Sequence, residues 1–139
     1  MFVNCDFSSN MEIAMLMDNS QGQSPNNTHG SCVACVFNHT ASGGTANAGV
    51  GIEILNCGSG FVFEGCQIFF SRIELEDSDG IVFTGCNFGA NNCDIEISGG
   101  GAVIFNGNMH QAQPTITIQD NQSVKFVNCY TRSGVEVSP

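Results

Sequence analysis

Three glutamates, Glu53, Glu74 and Glu96, each lie at the centre of an aliphatic-x-aliphatic triplet and follow one another at nearly equal intervals along the chain. Carboxylates repeated in this way can act on a glycosidic bond, bind sugar hydroxyls or bind Ca²⁺. Neighbouring carboxylates about 5 Å apart repel each other, so we expect at least one of the three to have a raised pKa. Arg72 shortly precedes Glu74 and is expected to neutralise part of this acidic stripe. The alternative is that these carboxylates only form a solvated surface and bind no ligand.

Five of the eight cysteines recur at one position of an internal repeat: Cys5, Cys35, Cys66, Cys86 and Cys129. A shared repeat position predicts stacked, small buried side chains with free thiols. Cys32 and Cys35 have the C-x-x-C spacing of zinc and redox motifs, but no second pair completes four ligands. Cys57 and Cys93 lie outside this position and are predicted to be turn thiols. We therefore expect neither a metal nor a cofactor.

Two long segments, 18–30 and 39–49, lengthen the repeat where they occur and are rich in amides and hydroxyls. Such groups hydrogen-bond sugar hydroxyls, and loops on a rigid scaffold often carry binding residues. The candidate carbohydrate-binding residues in these insertions are Asn26, Asn27, His39 and Asn47. Ordinary loop variation is the alternative. The remaining candidate base, His110, falls in an apolar position and is predicted to be a partly buried, hydrogen-bonded side chain.

The repeat itself predicts the elements that position these residues. The pattern apolar-x-aromatic-x-Gly/Asn-Cys recurs around Phe63, Phe83 and Phe126, and around Phe105 with Asn108 in place of the cysteine, at nearly constant spacing. An aliphatic triplet follows each copy, the last one being Val135-Glu136-Val137. Val, Ile and Thr are abundant and Leu is rare, which favours strands and excludes leucine-rich repeats. Residues 1–139 are therefore predicted to form one all-β domain, a right-handed single-stranded parallel β-helix of about six coils of about 21 residues.

Charge and length exclude several classes of partner. Thirteen acidic residues against three basic ones give a net charge of −10, so binding to nucleic acid or to an anionic membrane surface is not expected. No apolar run approaches the roughly 20 residues of a membrane-spanning helix, so membrane insertion is not expected either. The chain begins and ends within predicted strands, and we expect it to be a piece of a longer polypeptide.

A strip of apolar side chains is predicted on the outside of the first strand of the repeat. Val62, Val82 and Ile104 are outward neighbours when the strand is phased by its inward Phe residues, and Phe69 is expected near them, around the bend. Stacked apolar residues on an outer face indicate a covered surface. Three copies around a threefold axis would cover this strip, so we expect a homotrimer.

The phrase Val124-x-Phe126-x-Asn128-Cys129 and its copies resemble the coils of pectate-lyase-like right-handed β-helix proteins over nearly the whole chain. Gly- and Asn-rich, lysine-poor coils are most similar to bacteriophage tail spike and tail fibre segments. The resemblance implies a virion protein, assembled in the bacterial cytoplasm, with a structural role and a bacterial surface polysaccharide as its receptor. Two alternatives stay open: a polysaccharide depolymerase (glycoside hydrolase or lyase) and a bacterial surface adhesin fragment. The absence of Trp and the single Tyr favour binding over catalysis.

Overall fold

A computed structural model describes most of the chain and is all-β. The ranges it describes are 1–9, 13–19, 30–39, 50–58, 60–69, 72–89, 93–121 and 123–139. Within these ranges there is no helix. The two insertions predicted at 18–30 and 39–49 lie almost entirely outside the described residues.

Seventeen short strands are formed by the described residues. In chain order they are β1 (Phe2–Val3), β2 (Asp6–Ser9), β3 (Ile13–Asp18), β4 (Gly30–Val33), β5 (Val36–His39), β6 (Val50–Leu55), β7 (Phe61–Glu64), β8 (Gln67–Phe69), β9 (Arg72–Glu76), β10 (Ile81–Thr84), β11 (Asn87–Gly89), β12 (Ile95–Ser98), β13 (Val103–Asn106), β14 (Met109–His110), β15 (Ile116–Gln119), β16 (Val124–Val127) and β17 (Tyr130–Thr131).

The strands form three parallel sheets, and each sheet takes every third strand of the chain. Sheet A has the order β1-β4-β7-β10-β13-β16, sheet B has β2-β5-β8-β11-β14-β17, and sheet C has β3-β6-β9-β12-β15. The chain thus passes from A to B to C and returns to A beside its previous strand. This topology is consistent with the predicted parallel β-helix.

The predicted inward residues form ladders, meaning sets of residues in register on neighbouring strands. On sheet A the ladder joins Phe63, Phe83, Phe105 and Phe126. Their rings stack face to face, with centroids 4.5, 4.9 and 4.6 Å apart. The aliphatic triplets of sheet C are also in register and supply the opposite wall of the core, as predicted. Offset stacking of this kind adds to the stabilisation that burial of the rings provides.

The bend between sheets A and B places a left-handed residue before the cysteine position. These residues have φ between 51° and 63° and are Asn4, Ala34, Gly65, Gly85, Gly107 and Asn128. The next residue points inward, and from Cys35 onward its side chain donates a hydrogen bond to a main-chain carbonyl of the neighbouring strand of sheet A. Cys86 donates to Phe63 O over 3.4 Å, and Cys129 donates to Phe105 O over 3.3 Å. The thiols are buried, as predicted, but they also act as hydrogen-bond donors.

Asn108 replaces cysteine at this position and makes the same contact. Its Nδ2 donates to Phe83 O over 3.0 Å, and its Oδ1 accepts from the Cys86 main-chain N over 2.8 Å. The side chain is 2% exposed, so both bonds lie in the core. Buried main-chain groups are costly when unpaired, and the Asn108 amide pairs the main-chain N–H of Cys86 at the bend.

A second bend, after sheet C, has the same design. Left-handed residues at Asn56, Asp77 and Asp120 precede inward side chains at Cys57, Ser78 and Asn121. The Ser78 hydroxyl donates to Ile54 O over 3.2 Å, and Asn121 Nδ2 donates to Gly99 O over 2.7 Å. Cys57 is a thiol at a bend, as predicted, but it does not lie outside the repeat, because it belongs to this second set; Cys93 is also buried.

The last predicted triplet, Val135-Glu136-Val137, does not join sheet C. Gly134, with φ 85°, and hydrogen bonds between Thr131 and Val135 reverse the chain direction after β17. Glu136 then pairs with Tyr130 in an antiparallel bridge, and Val137 is buried. An alternating pattern does not specify the strand with which a segment pairs. Here the turn at Gly134 pairs Glu136 with Tyr130 and so keeps the triplet out of sheet C.

Candidate functional site

The outer face of sheet C carries the acidic stripe in the predicted register. Glu53 pairs with Glu74, and Glu74 with Glu96, on neighbouring strands, and Thr117 continues the ladder. A second outward ladder runs beside it, two positions further along each strand: Leu55, Glu76, Ser98 and Gln119. Between the two ladders lies a groove of about 210 Å³. We call this the sheet C groove. The sequence predicted the ladder of Glu53, Glu74 and Glu96 but not the second ladder beside it.

Arg72 lies at the start of β9 and binds two of the three stripe carboxylates. Its Nη2 contacts Glu74 Oε1, and its Nη1 lies 3.6 Å from Glu96 Oε1. The side chains are only partly covered, so each pair contributes little to stability. The two ion pairs mainly lower the negative charge of the stripe, because the Arg72 guanidinium compensates two neighbouring carboxylates, as predicted.

Glu53 has the perturbed carboxyl of the acidic stripe. Partial burial raises the pKa of Glu53 above its usual value, and the carboxylates of Glu74, Asp18 and Glu76 raise it further. Arg72 opposes this shift. The expectation of a raised pKa within the stripe is therefore met, and burial is its largest single cause. The stripe thus holds a carboxyl with a raised pKa in register with one that is paired with a cation.

The other predicted carbohydrate-binding residues are not brought to this groove by the described structure. Asn26, Asn27 and Asn47 lie outside the described residues. His39 ends β5 in sheet B, and only its main chain is described. Their role stays a prediction.

The predicted apolar strip is formed by three of its four members. Val62, Val82 and Ile104 are in register on the outer face of sheet A, and all three are half-buried. Lys125 follows them in the same ladder. Phe69 ends β8 on sheet B, around the bend from these three residues as predicted, and is paired there with Gly89.

His110 is buried in sheet B between Phe88 and Thr131. Its ring stacks on Phe88 with a centroid distance of 4.4 Å, and the residue is 1% exposed. Neither ring nitrogen has a hydrogen-bond partner among the described residues, so the prediction of a hydrogen-bonded, partly buried side chain is wrong. Burial lowers the pKa of His110 to about 4. It acts as an aromatic core residue that stays neutral.

No three His, Cys, Asp or Glu side chains of the described ranges are grouped in a way that could hold a metal ion. All eight cysteines are free thiols. Across the same ranges, no helix is long and apolar enough to cross a membrane.

Comparison of the chain with protein-family models, with curated proteins and with solved structures finds no match. The groove and the ladders themselves are therefore the basis on which a function can be proposed.

Replacing His110 with Phe should remove a pH dependence of stability. The ordinary His pKa of 6.5 applies after unfolding and falls to about 4 in the fold, so the unfolded chain binds the proton more tightly. Stability should be complete above pH 6.5 and fall between pH 6.5 and 4, by about 3 kcal/mol from this one group. Urea unfolding of wild type and His110→Phe at pH 7.5 and pH 4.5 measures it. An equal acid loss in both proteins would contradict the assignment.

Proposed function

We propose that the chain is a segment of a phage tail spike or tail fibre that binds a bacterial surface glycan through the sheet C groove. In this proposal the three sheets form a right-handed parallel β-helix of about six coils, and the protein belongs to the virion. The single observation that carries the binding proposal is the pair of outward polar ladders around the groove. The family resemblance of the repeat supports the phage assignment.

The groove has the chemistry that a neutral or amino sugar requires. Glu74, Glu76 and Glu96 accept hydrogen bonds from sugar hydroxyls, while Ser98 and Gln119 both accept and donate them. Arg72 holds two of the carboxylates in place. The side chains stand on strands with a fixed register, which lowers the entropy lost when a ligand binds.

One observation favours a second candidate, a polysaccharide depolymerase with glycosidase activity. Glu53 has a raised pKa and is in register with Glu74, which is paired with Arg72. A glycosidase requires a protonated acid beside an ionised carboxylate. In this candidate Glu53 donates the proton to the leaving oxygen, and Glu74 is the partner carboxylate.

We also propose that the half-buried strip of Val62, Val82 and Ile104 is an interface between three copies of the chain. A solvated outer strand normally carries polar residues, as sheet C does. Branched apolar side chains in register on three neighbouring strands provide a straight surface that three identical subunits can share around one axis.

Replacing Glu74 and Glu96 with Gln should abolish glycan binding. The change removes two acceptors of charge-assisted hydrogen bonds and keeps the shape of the side chains. Binding is measured on an array of bacterial capsular polysaccharides and lipopolysaccharide O-chains. A matched control, Glu64→Gln with Glu136→Gln, removes the same charge from two exposed residues elsewhere and should bind as wild type does.

Unchanged binding in the groove variant, or equal loss in the control, would contradict the proposed site. Shortening of the bound glycans by wild type would instead assign the depolymerase. In that case Glu53→Gln should lower the release of new reducing ends by at least about a hundredfold, the low end of a general acid's contribution.

Replacing Val82 with Asp should dissociate the trimer, because a carboxylate within an apolar interface loses its hydration. The core should survive, since Val82 points away from the Phe ladder. Light scattering at micromolar concentration measures the mass. Gln67→Glu adds the same charge to an exposed residue of sheet B and should leave the trimer intact. A monomeric wild type, or a trimeric Val82→Asp variant, would contradict the interface.

A further inference from the structure

The outer face of sheet B has a groove of its own, unrelated to the sheet C groove. It has a volume of about 290 Å³. Six residues line it: Phe69, Asn87, Gly89, Met109, Gln111 and Arg132. We call it the sheet B groove. Aromatic, amide and guanidinium groups therefore surround one depression.

The register of sheet B builds this groove. Phe69 pairs with Gly89, and Gln111 and Arg132 follow on the next two strands, as the bonds Gln111 N to Phe88 O and Arg132 N to His110 O require. Gly89 allows the Phe69 ring to lie over its main chain, because a Cβ at this position would overlap the ring. The ring thus covers the place of the missing side chain, and two polar residues, Gln111 and Arg132, follow in the same ladder.

A second outward ladder completes the wall. Asn87 pairs with Met109 on the neighbouring strand, and both side chains are exposed. The amide can exchange hydrogen bonds with hydroxyls, and the thioether offers a soft apolar contact. Neighbouring strands lie about 4.8 Å apart, so Phe69 and Arg132 are separated by about 14 Å along the sheet. Gly89 and Gln111 stand between them in the same ladder.

Arg132 is one of only three basic residues in a chain of net charge −10. Arg72, in contrast, is bound by two carboxylates. Within the described part of the chain, the Arg132 guanidinium has no ion-pair partner, and the residue is exposed. An exposed guanidinium next to amides and an aromatic ring is suited to bidentate binding of a carboxylate.

We propose that the sheet B groove binds a carboxylate-bearing sugar, such as a uronic acid unit of a surface glycan. Arg132 binds the carboxylate, Asn87 and Gln111 bind hydroxyls, and the Phe69 ring and Met109 pack against the apolar face of the sugar. This inference rests on the proposed glycan-binding function but uses a different face. The acidic sheet C groove repels such a sugar, so the two grooves recognise different units.

The test compares two small probes, methyl β-D-glucuronide and methyl β-D-glucoside, by titration calorimetry or ligand-observed NMR on the full chain. We expect wild type to bind the glucuronide at least about tenfold more tightly than the glucoside. Arg132→Gln should reduce glucuronide affinity to that of the glucoside. Lys125→Gln, which removes one positive charge from an exposed residue of sheet A, should bind as wild type does.

Equal affinity of wild type for both sugars, or an Arg132→Gln variant that still prefers the glucuronide, would overturn the proposal. Sodium acetate provides the third arm. If acetate displaces the glucuronide at equal concentration, Arg132 binds any carboxylate and the sugar assignment fails. Circular dichroism confirms that both variants are folded. Binding of the Glu74→Gln, Glu96→Gln double variant to the glycan array does not depend on Arg132. If the glucuronide experiment contradicts the sheet B groove, the array experiment therefore still tests the sheet C groove.

Discussion

The structure depends on how buried main-chain groups are paired where the chain turns between sheets. At these bends, small inward side chains hydrogen-bond buried main-chain groups of the neighbouring passage of the chain, among them the Cys86 N–H and the carbonyls of Phe63 and Phe83. An unpaired buried group costs about 1–3 kcal/mol, and the bends recur with every passage of the chain. A small inward donor follows the left-handed residue at most of these bends; at Gly99 the next residue is Gly100, which has no side chain to donate. At different bends the donor is the thiol of Cys86, the hydroxyl of Ser78 or the amide of Asn108.

These donors make short bends possible, and short bends keep the strands in register. Register then places like residues next to like residues on every face. Inside, this gives the stacked Phe rings of sheet A. Outside, it gives the carboxylates of sheet C, where Glu53 has a raised pKa and Arg72 is shared by two neighbours. The same register sets Gly89 beside Phe69 on sheet B, so that the Phe69 ring can lie over Gly89 in the second groove. Candidate binding sites are therefore consequences of the repeat.

Much of this could be predicted from the sequence because the repeat is regular. The inward Phe residues, the aliphatic triplets and the acidic ladder follow from side-chain alternation within a nearly constant period. The inward residues of the second bend were not predicted, because Cys57, Ser78 and Asn121 are similar in size and polarity but are three different residue types. The reversal at Gly134 was missed because Val135-Glu136-Val137 has the same alternation as a true strand of sheet C. The Arg132 groove was missed because its residues are far apart in sequence and meet only through register.

The role of the inward thiols can be measured at Cys86, which donates to Phe63 O over 3.4 Å and is 1% exposed. The direct test is the free energy of unfolding in urea of Cys86→Ser and Cys86→Ala. The hydroxyl can still donate to the Phe63 carbonyl, whereas the Ala methyl cannot. The account predicts that the Ser variant is the more stable of the two by about 1 kcal/mol, although Ser is the more polar residue. An Ala variant at least as stable as the Ser variant would show that the thiols are only small apolar fillers, and would contradict the account.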